Sequence, residues 1–318
     1  MEEGLNVIYS SDDNYAQHMG VSIVSLLENN KEFKNINIYI IENNISEENK
    51  KKLGEVTKRY GRHIEYINFN KYEKRLKLNM DTYISISSYA RLFIPEMLPI
   101  EIEKVIYIDC DTIINNSLKE LWNDDIENYA VAGVKDFAFE KCKEKIGIDS
   151  KYSYINAGVM VFNIKKMRES CIQDKFLDFI DTQNGNVYHH DQGVINGVLK
   201  DLIKVIPPKY NAMTPIFTMN DKRIMEFYNF SEPLYTEKEY TEARMNPVII
   251  HYTPAFTTRP WFKECRHPKK DLYFKYLNMS PWKDYKVAKS NDKLKLRIVK
   301  FLYNHLPFKI FRFLTKKR

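Results

Sequence analysis

No stretch of this 318-residue sequence approaches the ~18 consecutive apolar residues that a membrane-spanning helix needs. Cysteine is scarce: four residues stand apart at 110, 142, 171 and 265, with no Cys-x-x-Cys pair. That argues against a disulfide framework or a structural zinc site and makes a reducing cytoplasm the expected setting. The opening Met-Glu-Glu-Gly lacks both a basic n-region and an apolar h-region, so no secretory signal or N-terminal anchor is expected. Nor does a G-x-G-x-x-G fingerprint follow the first strand-like run, which removes support for a dinucleotide fold of that kind. Excess charge is missing from most of the chain as well. Residues 286–318 hold 11 Lys/Arg against Asp292 alone, a charge of +10, whereas the preceding residues hold 38 Lys/Arg and 41 Asp/Glu, a charge of −3. A near-neutral body disfavours nucleic acid as a partner, while a basic tail favours an interaction segment.

The remaining composition, 44% hydrophobic and 29% charged, is that of a globular chain long enough for one large α/β domain with an appendage. The expected division is a domain over 1–285 and a tail over 286–318. Strand signals at Leu5–Tyr9, Ile36–Ile41, His63–Ile67 and Val105–Ile108 alternate with helix signals. One helix is expected over Tyr15–Glu28, and another begins after Ser46 and is closed by Gly61. Repeated β-α-β units imply a parallel, twisted sheet with helices on both faces, and ligands in such sheets bind beyond the carboxyl ends of the strands.

The residues after the strands therefore carry the chemistry. Ser10-Ser11-Asp12-Asp13-Asn14-Tyr15 reads either as a polar loop capping the next helix or as a base- and ribose-binding segment, with Asp12 and Asn14 as hydrogen-bonding groups and Tyr15 stacking. Asp109-Cys110-Asp111 ends a hydrophobic strand. Two carboxylates two residues apart in extended chain share a side and repel, a conflict that a bound divalent cation removes. A lone strand histidine is more often a core residue, but His251 ends the run Pro247–Ile250 before a loop that brings up Arg259. Carboxylate oxygens with one imidazole suit Mn²⁺ or Mg²⁺ better than zinc. His189-His190-Asp191-Gln192 is a second candidate, weak as a chelate because adjacent residues do not share a helix face. Asp191 reads alternatively as the cap of a helix Gln192–Leu199.

Taken in order, these segments resemble glycosyltransferase family 8, whose bacterial members include lipooligosaccharide α-galactosyl- and α-glucosyltransferases. The resemblance runs from about residue 5 to about 262. It rests on Ser11-Asp-Asp-Asn-Tyr15, Ser88-Tyr-Ala-Arg91, Val105-Ile-Tyr-Ile-Asp-Cys-Asp111, Asp136, Asn156-Ala-Gly158, Asp191-Gln192 and His251. It implies a GT-A type fold, a Rossmann-like mixed sheet with helices on both faces. It also implies Asp109, Asp111 and His251 as metal ligands. Nucleotide-sugar contacts would come from Ser10, Ser11, Asp12, Asn14, Tyr15, Arg91, Asp109, Cys110, Asp136, Asn156, Ala157 and Arg259. Asp191 and Gln192 are implied near the anomeric carbon as the catalytic pair. The implied reaction moves a hexose from a UDP-sugar, with retention, to a glycan or glycolipid hydroxyl. Two features depart from the family pattern: a longer loop with Pro254 that ends in Arg259-Pro260-Trp261 in place of Lys-Pro-Trp, and Gly193 where a related galactosyltransferase has an acid. The competing readings are a non-catalytic nucleotide-sugar-binding protein and a nucleotidyltransferase.

In the tail, Leu294, Ile298, Phe301 and Leu302 recur at helical spacing and Pro307 interrupts the chain. Basic residues interleaved with aromatics suit an interfacial helix on an anionic membrane. A peripheral position on the inner face of a bacterial plasma membrane is the expected location. A helix packed back on the body and a nucleic-acid-binding tail are the alternatives.

Overall fold

The computed structural model describes residues 4–79, 86–138 and 141–315; the N-terminal Met-Glu-Glu and the last three basic residues of the tail lie outside them. The described strands are β1 (Gly4–Asp12), β2 (Asn35–Asn43), β3 (Ile64–Asn68), β4 (Lys104–Ile108), β5 (Thr112–Ile114), β6 (Val131–Lys135), β7 (Ile155–Asn163), β8 (Ile203–Val205), β9 (Ala212–Met213) and β10 (Ile249–His251). Seven of them form one sheet in the order β3-β2-β1-β4-β7-β6-β8, and β5-β10-β9 form a second.

The opening half is parallel, as the β-α-β pattern predicts, but the whole sheet is not. Strand β7 runs antiparallel between β4 and β6, which makes the sheet mixed. Side chains alternate across it: Val7, Tyr9, Ile106 and Ile108 join one apolar core, while Ile8, Val105 and Tyr107 join the other. The helix Ala16–Glu28 covers the first face; Ile172–Thr182 and His190–Leu199 cover the second. With both faces covered, the central strands are apolar in either direction, so the reversal of β7 leaves no mark on the pattern.

Three expectations need correction. Strand β1 continues to Asp12, pairing as far as Asn43, so Ser10, Ser11 and Asp12 form the strand's end rather than a loop. The chain between β4 and β5 is a turn joining two sheets, so Asp109 and Asp111 are not carried side by side on one extended run. The helix His190–Leu199 is preceded by His189 at the cap position, and Asp191 lies inside its first turn, with its carboxylate on Arg91. The helix Glu47–Lys58, by contrast, begins as expected, with Ser46 Oγ accepting from the Asn49 amide at 3.3 Å.

Sheet order reverses at β1: β2 and β3 lie to one side, β4 and its neighbours to the other. The crevice beyond the carboxyl ends of β1 and β4 is thus a topological switch point. It collects Ser10–Tyr15 and Asp109–Asp111.

The tail forms two helices, Leu294–His305 and Phe308–Thr315, separated at Pro307. One side packs back on the body through the buried Phe311, while Leu294, Phe301 and Phe313 are exposed on the other, Phe313 by 78%.

Candidate active site

The turn after β4 sets the two aspartates at the seam between the sheets, and β10, antiparallel to β5, brings His251 opposite Thr112. His251 Nε2 lies 3.1 Å from Asp111 Oδ1 and 3.9 Å from Asp109 Oδ2. The three residues offer ligand atoms all within 4.8 Å of one another. The other carboxylate oxygens are held from outside. Arg91 Nη2 and the Tyr107 hydroxyl donate to Asp109 Oδ1 at 3.0 and 2.8 Å, and Arg259 Nε donates to Asp111 Oδ2 at 2.8 Å. On the far side of the imidazole, His251 Nδ1 sits 2.9 Å from Asn211 Oδ1. An amide oxygen there accepts from Nδ1–H, so Nε2 is the nitrogen that faces the carboxylates.

Does this cradle fit a cation? A Cβ built on Gly158 would collide with His251 Cε1 and lie 2.9 Å from Asp109 Oδ2. The glycine of Asn156-Ala-Gly158 therefore keeps that approach open. Two carboxylate oxygens and one imidazole nitrogen, backed by Asn211, suit a divalent cation of the Mn²⁺ or Mg²⁺ kind. Burial opposes charge at Asp111, but Arg259 and His251 outweigh it and hold the carboxyl below its ordinary range. Burial also opposes charge on His251, and the facing Asp111 and Asp109 raise it nonetheless.

A cavity of about 490 Å³ opens from this cluster towards the start of the helix His190–Leu199. Beyond Asp109 it is lined by a network in which the Gln192 and Asn156 amides meet the Asp136 carboxylate. Gln192 Nε2 donates to Asp136 Oδ2 at 2.6 Å, and Gln192 Oε1 accepts from the Ala157 amide at 3.1 Å. Asn156 Nδ2 donates to Asp136 at 3.2 Å and to Gln192 at 3.3 Å, while Asn156 Oδ1 accepts from the Gly158 amide and from Asn211 Nδ2. Asn211 thereby links this network to His251 of the acid cluster.

Arg91 sits in the wall between them, only 6% exposed. Its Nε lies 3.1 Å from Asp191 Oδ2, its Nη1 donates to the Ala157 carbonyl, and its plane covers the Tyr107 ring at 4.3 Å. Burial pushes the Asp191 carboxyl above its ordinary range, against the pull of Arg91.

Around β1 the residues divide. The exposed Asn14 and half-buried Tyr15 stand at the crevice rim, where Arg259 lies over both Tyr15 and Trp261, at 5.9 and 5.8 Å. Asp12 Oδ1 accepts from the Tyr15 amide at 3.2 Å, which shapes the turn. Ser10 Oγ donates to the Ser87 carbonyl and Ser11 Oγ to the Asp12 carbonyl. The Cys110 thiol donates to the Ser10 carbonyl at 3.2 Å, and burial pushes it up, so it stays a neutral thiol.

Neither His189 nor His190 joins the acid cluster. Both adopt left-handed backbone, φ 60° and 55°, in the turn whose Tyr188 carbonyl a Cβ at Gly193 would strike. His189 Nδ1 instead meets the Tyr154 hydroxyl at 2.9 Å. Sequence reasoning missed Asn211 and Tyr107. Asn211 lies in no motif or spacing that marks it, and Tyr107, although within Val105–Asp111, reads as a core strand residue; each acts through a residue that is marked.

Comparison with known proteins places these features. The profile of Glycosyl transferase family 8 matches residues 6–265. The chain is 31% identical over 286 residues to General stress protein A of Bacillus subtilis, covering 88% of this chain and 96% of that protein. It is 29% identical over 309 residues to the lipopolysaccharide 1,2-glucosyltransferase of Escherichia coli K12, covering 95% and 87%. A crystal structure of the galactosyltransferase LgtC, in complex with donor and acceptor sugar analogs, superposes with a TM-score of 0.72 at 25% identity, covering 87% of this chain and 96% of that one.

Proposed function

This chain belongs to glycosyl transferase family 8, and we propose that it moves a hexose, galactose or glucose, from a UDP-sugar to a hydroxyl of a cell-surface glycan or glycolipid, with retention of configuration. One observation carries this reading. Asp109 of the Asp109/Asp111/His251 cluster and the Gln192/Asp136/Asn156 network line one cavity, and Asn211 links the two groups by bonding both His251 and Asn156. A diphosphate at the cluster puts its hexose at the network.

The chemical difficulty is the nucleoside diphosphate, which gains negative charge as the glycosidic bond breaks. A Mn²⁺ or Mg²⁺ held by Asp109, Asp111 and His251 supplies Lewis-acid charge to that leaving group. The protein's own cations add to it: Arg259, on the loop beside Tyr15, offers its remaining guanidinium nitrogens to phosphate oxygens. Tyr15 stacks on the uracil, Asp12 and Asn14 hydrogen-bond the nucleoside, and Ser10, Ser11 and Cys110 shape the strand ends beneath it. Asp136, Asn156 and Ala157 hold Gln192 and face the sugar.

Retention admits a covalent intermediate or front-face attack assisted by the leaving phosphate. Two features favour the front face. An amide is a poor nucleophile, and the Asp191 carboxylate is tied to Arg91. Gln192 and Asp191 then stabilise the positive charge that develops on the sugar ring. Trapping a glycosyl adduct on either residue would overturn this choice.

The division into a catalytic domain, 1–285, and a membrane-contacting tail, 286–318, belongs to the same proposal. Among the described residues no helix is long and apolar enough to cross a membrane. The exposed Leu294, Ile298, Phe301, Ile310 and Phe313, set among basic side chains, suit peripheral docking on the inner face of a bacterial plasma membrane. Such docking brings the enzyme to a lipid-linked acceptor. The test is release of UDP from a panel of UDP-sugars with Mn²⁺, with and without a glycan acceptor. Binding without turnover would favour a nucleotide-sugar-binding protein instead.

A further inference from the structure

The loop after His251 contributes to the site at both its ends. Thr253, Pro254 and Ala255 line the cavity, and Arg259 holds Asp111. Between them Phe256 packs against the tail. Its ring stacks on Tyr303 at 4.2 Å and meets Phe227 and Phe311 edge-on at 4.9 and 5.4 Å. Asn304 Nδ2 reaches the Phe256 carbonyl at 3.4 Å, and the Tyr303 hydroxyl donates to the Thr218 carbonyl at 2.9 Å. Phe311 is fully buried, and Arg312 lies 3.9 Å from Glu226. The helix Asp221–Tyr228 has Phe227 against the tail, and its next residue, Tyr228, lines the cavity. Two rings of the basic tail thus lie behind both elements that wall this side of the cavity.

We infer that Tyr303 and Phe311 are positioning residues: the C-terminal helices hold the loop 253–260, and with it Arg259, against Asp111. The inference rests on the transfer reading above for its catalytic consequence, though not for the contact itself. Stacked and edge-to-face rings add directional attraction to the area they bury, so the pair fixes the loop's position as well as covering it. The outer face of the same helices carries Ile298, Phe301 and Phe313, which are exposed and take no part in these contacts. Loop support and membrane contact therefore fall on different faces and separate by mutation.

The full-length chain with Tyr303→Ala, Phe311→Ala, Tyr303→Phe or Phe313→Ser is compared with wild type in two assays. One is amide hydrogen exchange of peptides covering 253–260 and of those covering β1 and β4. The other is kcat and KM for the UDP-sugar with a small soluble acceptor. Both alanine variants should exchange faster in the loop with the sheet unchanged, and donor KM should rise about tenfold, a loss of roughly 1.4 kcal/mol, with kcat altered less. Tyr303→Phe keeps the ring stack and should recover wild-type loop protection, while Phe313→Ser should match wild type in both assays. Unchanged loop exchange in both alanine variants overturns the inference, as does faster exchange spread equally through the sheet. Absence of turnover in wild type overturns the transfer reading alone, because exchange reports the contact without catalysis.

Discussion

The two ends of the cavity share strand β7, yet they are stabilised in opposite ways. At the amide end, Gln192, Asn156 and Asp136 satisfy one another, and the network is complete before any substrate arrives. At the acid end, two carboxylates and an imidazole face each other, and two arginines hold the oxygens that point away. The first arrangement fixes shape; the second stores a demand for positive charge at one point. A network in which amides surround one carboxylate, Asp136, should tolerate the loss of an amide, whereas removing a carboxylate from the acid cluster leaves its arginine and imidazole unbalanced. The comparison can be broken at either end.

The largest effect belongs to the acids. Asp109→Ala or Asp111→Ala should reduce Mn²⁺-dependent transfer by about a thousandfold, the equivalent of ~4 kcal/mol. The far-ultraviolet circular dichroism spectrum should stay unchanged. Next comes Asn211, which orients His251 from behind. Asn211→Ala should weaken Mn²⁺ binding about 10–100-fold, read as a higher cation concentration for half-maximal rate. Gln192→Ala should act at the other end alone: about a tenfold lower kcat, an unaltered Mn²⁺ half-saturation and the same product anomer by NMR. A changed Mn²⁺ requirement in that variant would join the two ends that the comparison separates.

The smallest effect concerns stability rather than turnover. Burial pulls His18 and His267 down to about 3, so both are neutral in the fold while the unfolded chain protonates near 6.5. Their contribution is fully present above pH 6.5 and is lost as pH falls towards 3, because the unfolded state binds the additional protons. His267→Gln should flatten the acid limb of a denaturation-midpoint profile by about one proton between those limits. A profile as steep as that of wild type would show that His267 titrates normally.

How much of this was legible beforehand varies residue by residue. Asp109-Cys-Asp111 at the end of an apolar strand and His251 at the end of another were readable because each couples a residue type to a strand boundary, whereas Asn156-Ala-Gly158 stood out only through the family resemblance. Asn211 was not readable. A single asparagine between Tyr210 and Ala212 carries no periodicity, and its value comes from touching His251, 40 residues away. The pairing of Arg91 with Asp191 spans 100 positions and is likewise invisible to local patterns. Helical spacing revealed the apolar stripes of the tail, but not that Phe311 is covered by the body while Phe313 is left outside.

The most direct measurement is turnover of UDP-galactose and UDP-glucose by wild-type protein after chelation and again after Mn²⁺ is restored. Transfer should be lost on chelation, return with Mn²⁺ and favour one of the two donors. Undiminished transfer in the chelated protein would contradict the assignment of Asp109, Asp111 and His251 as a metal site.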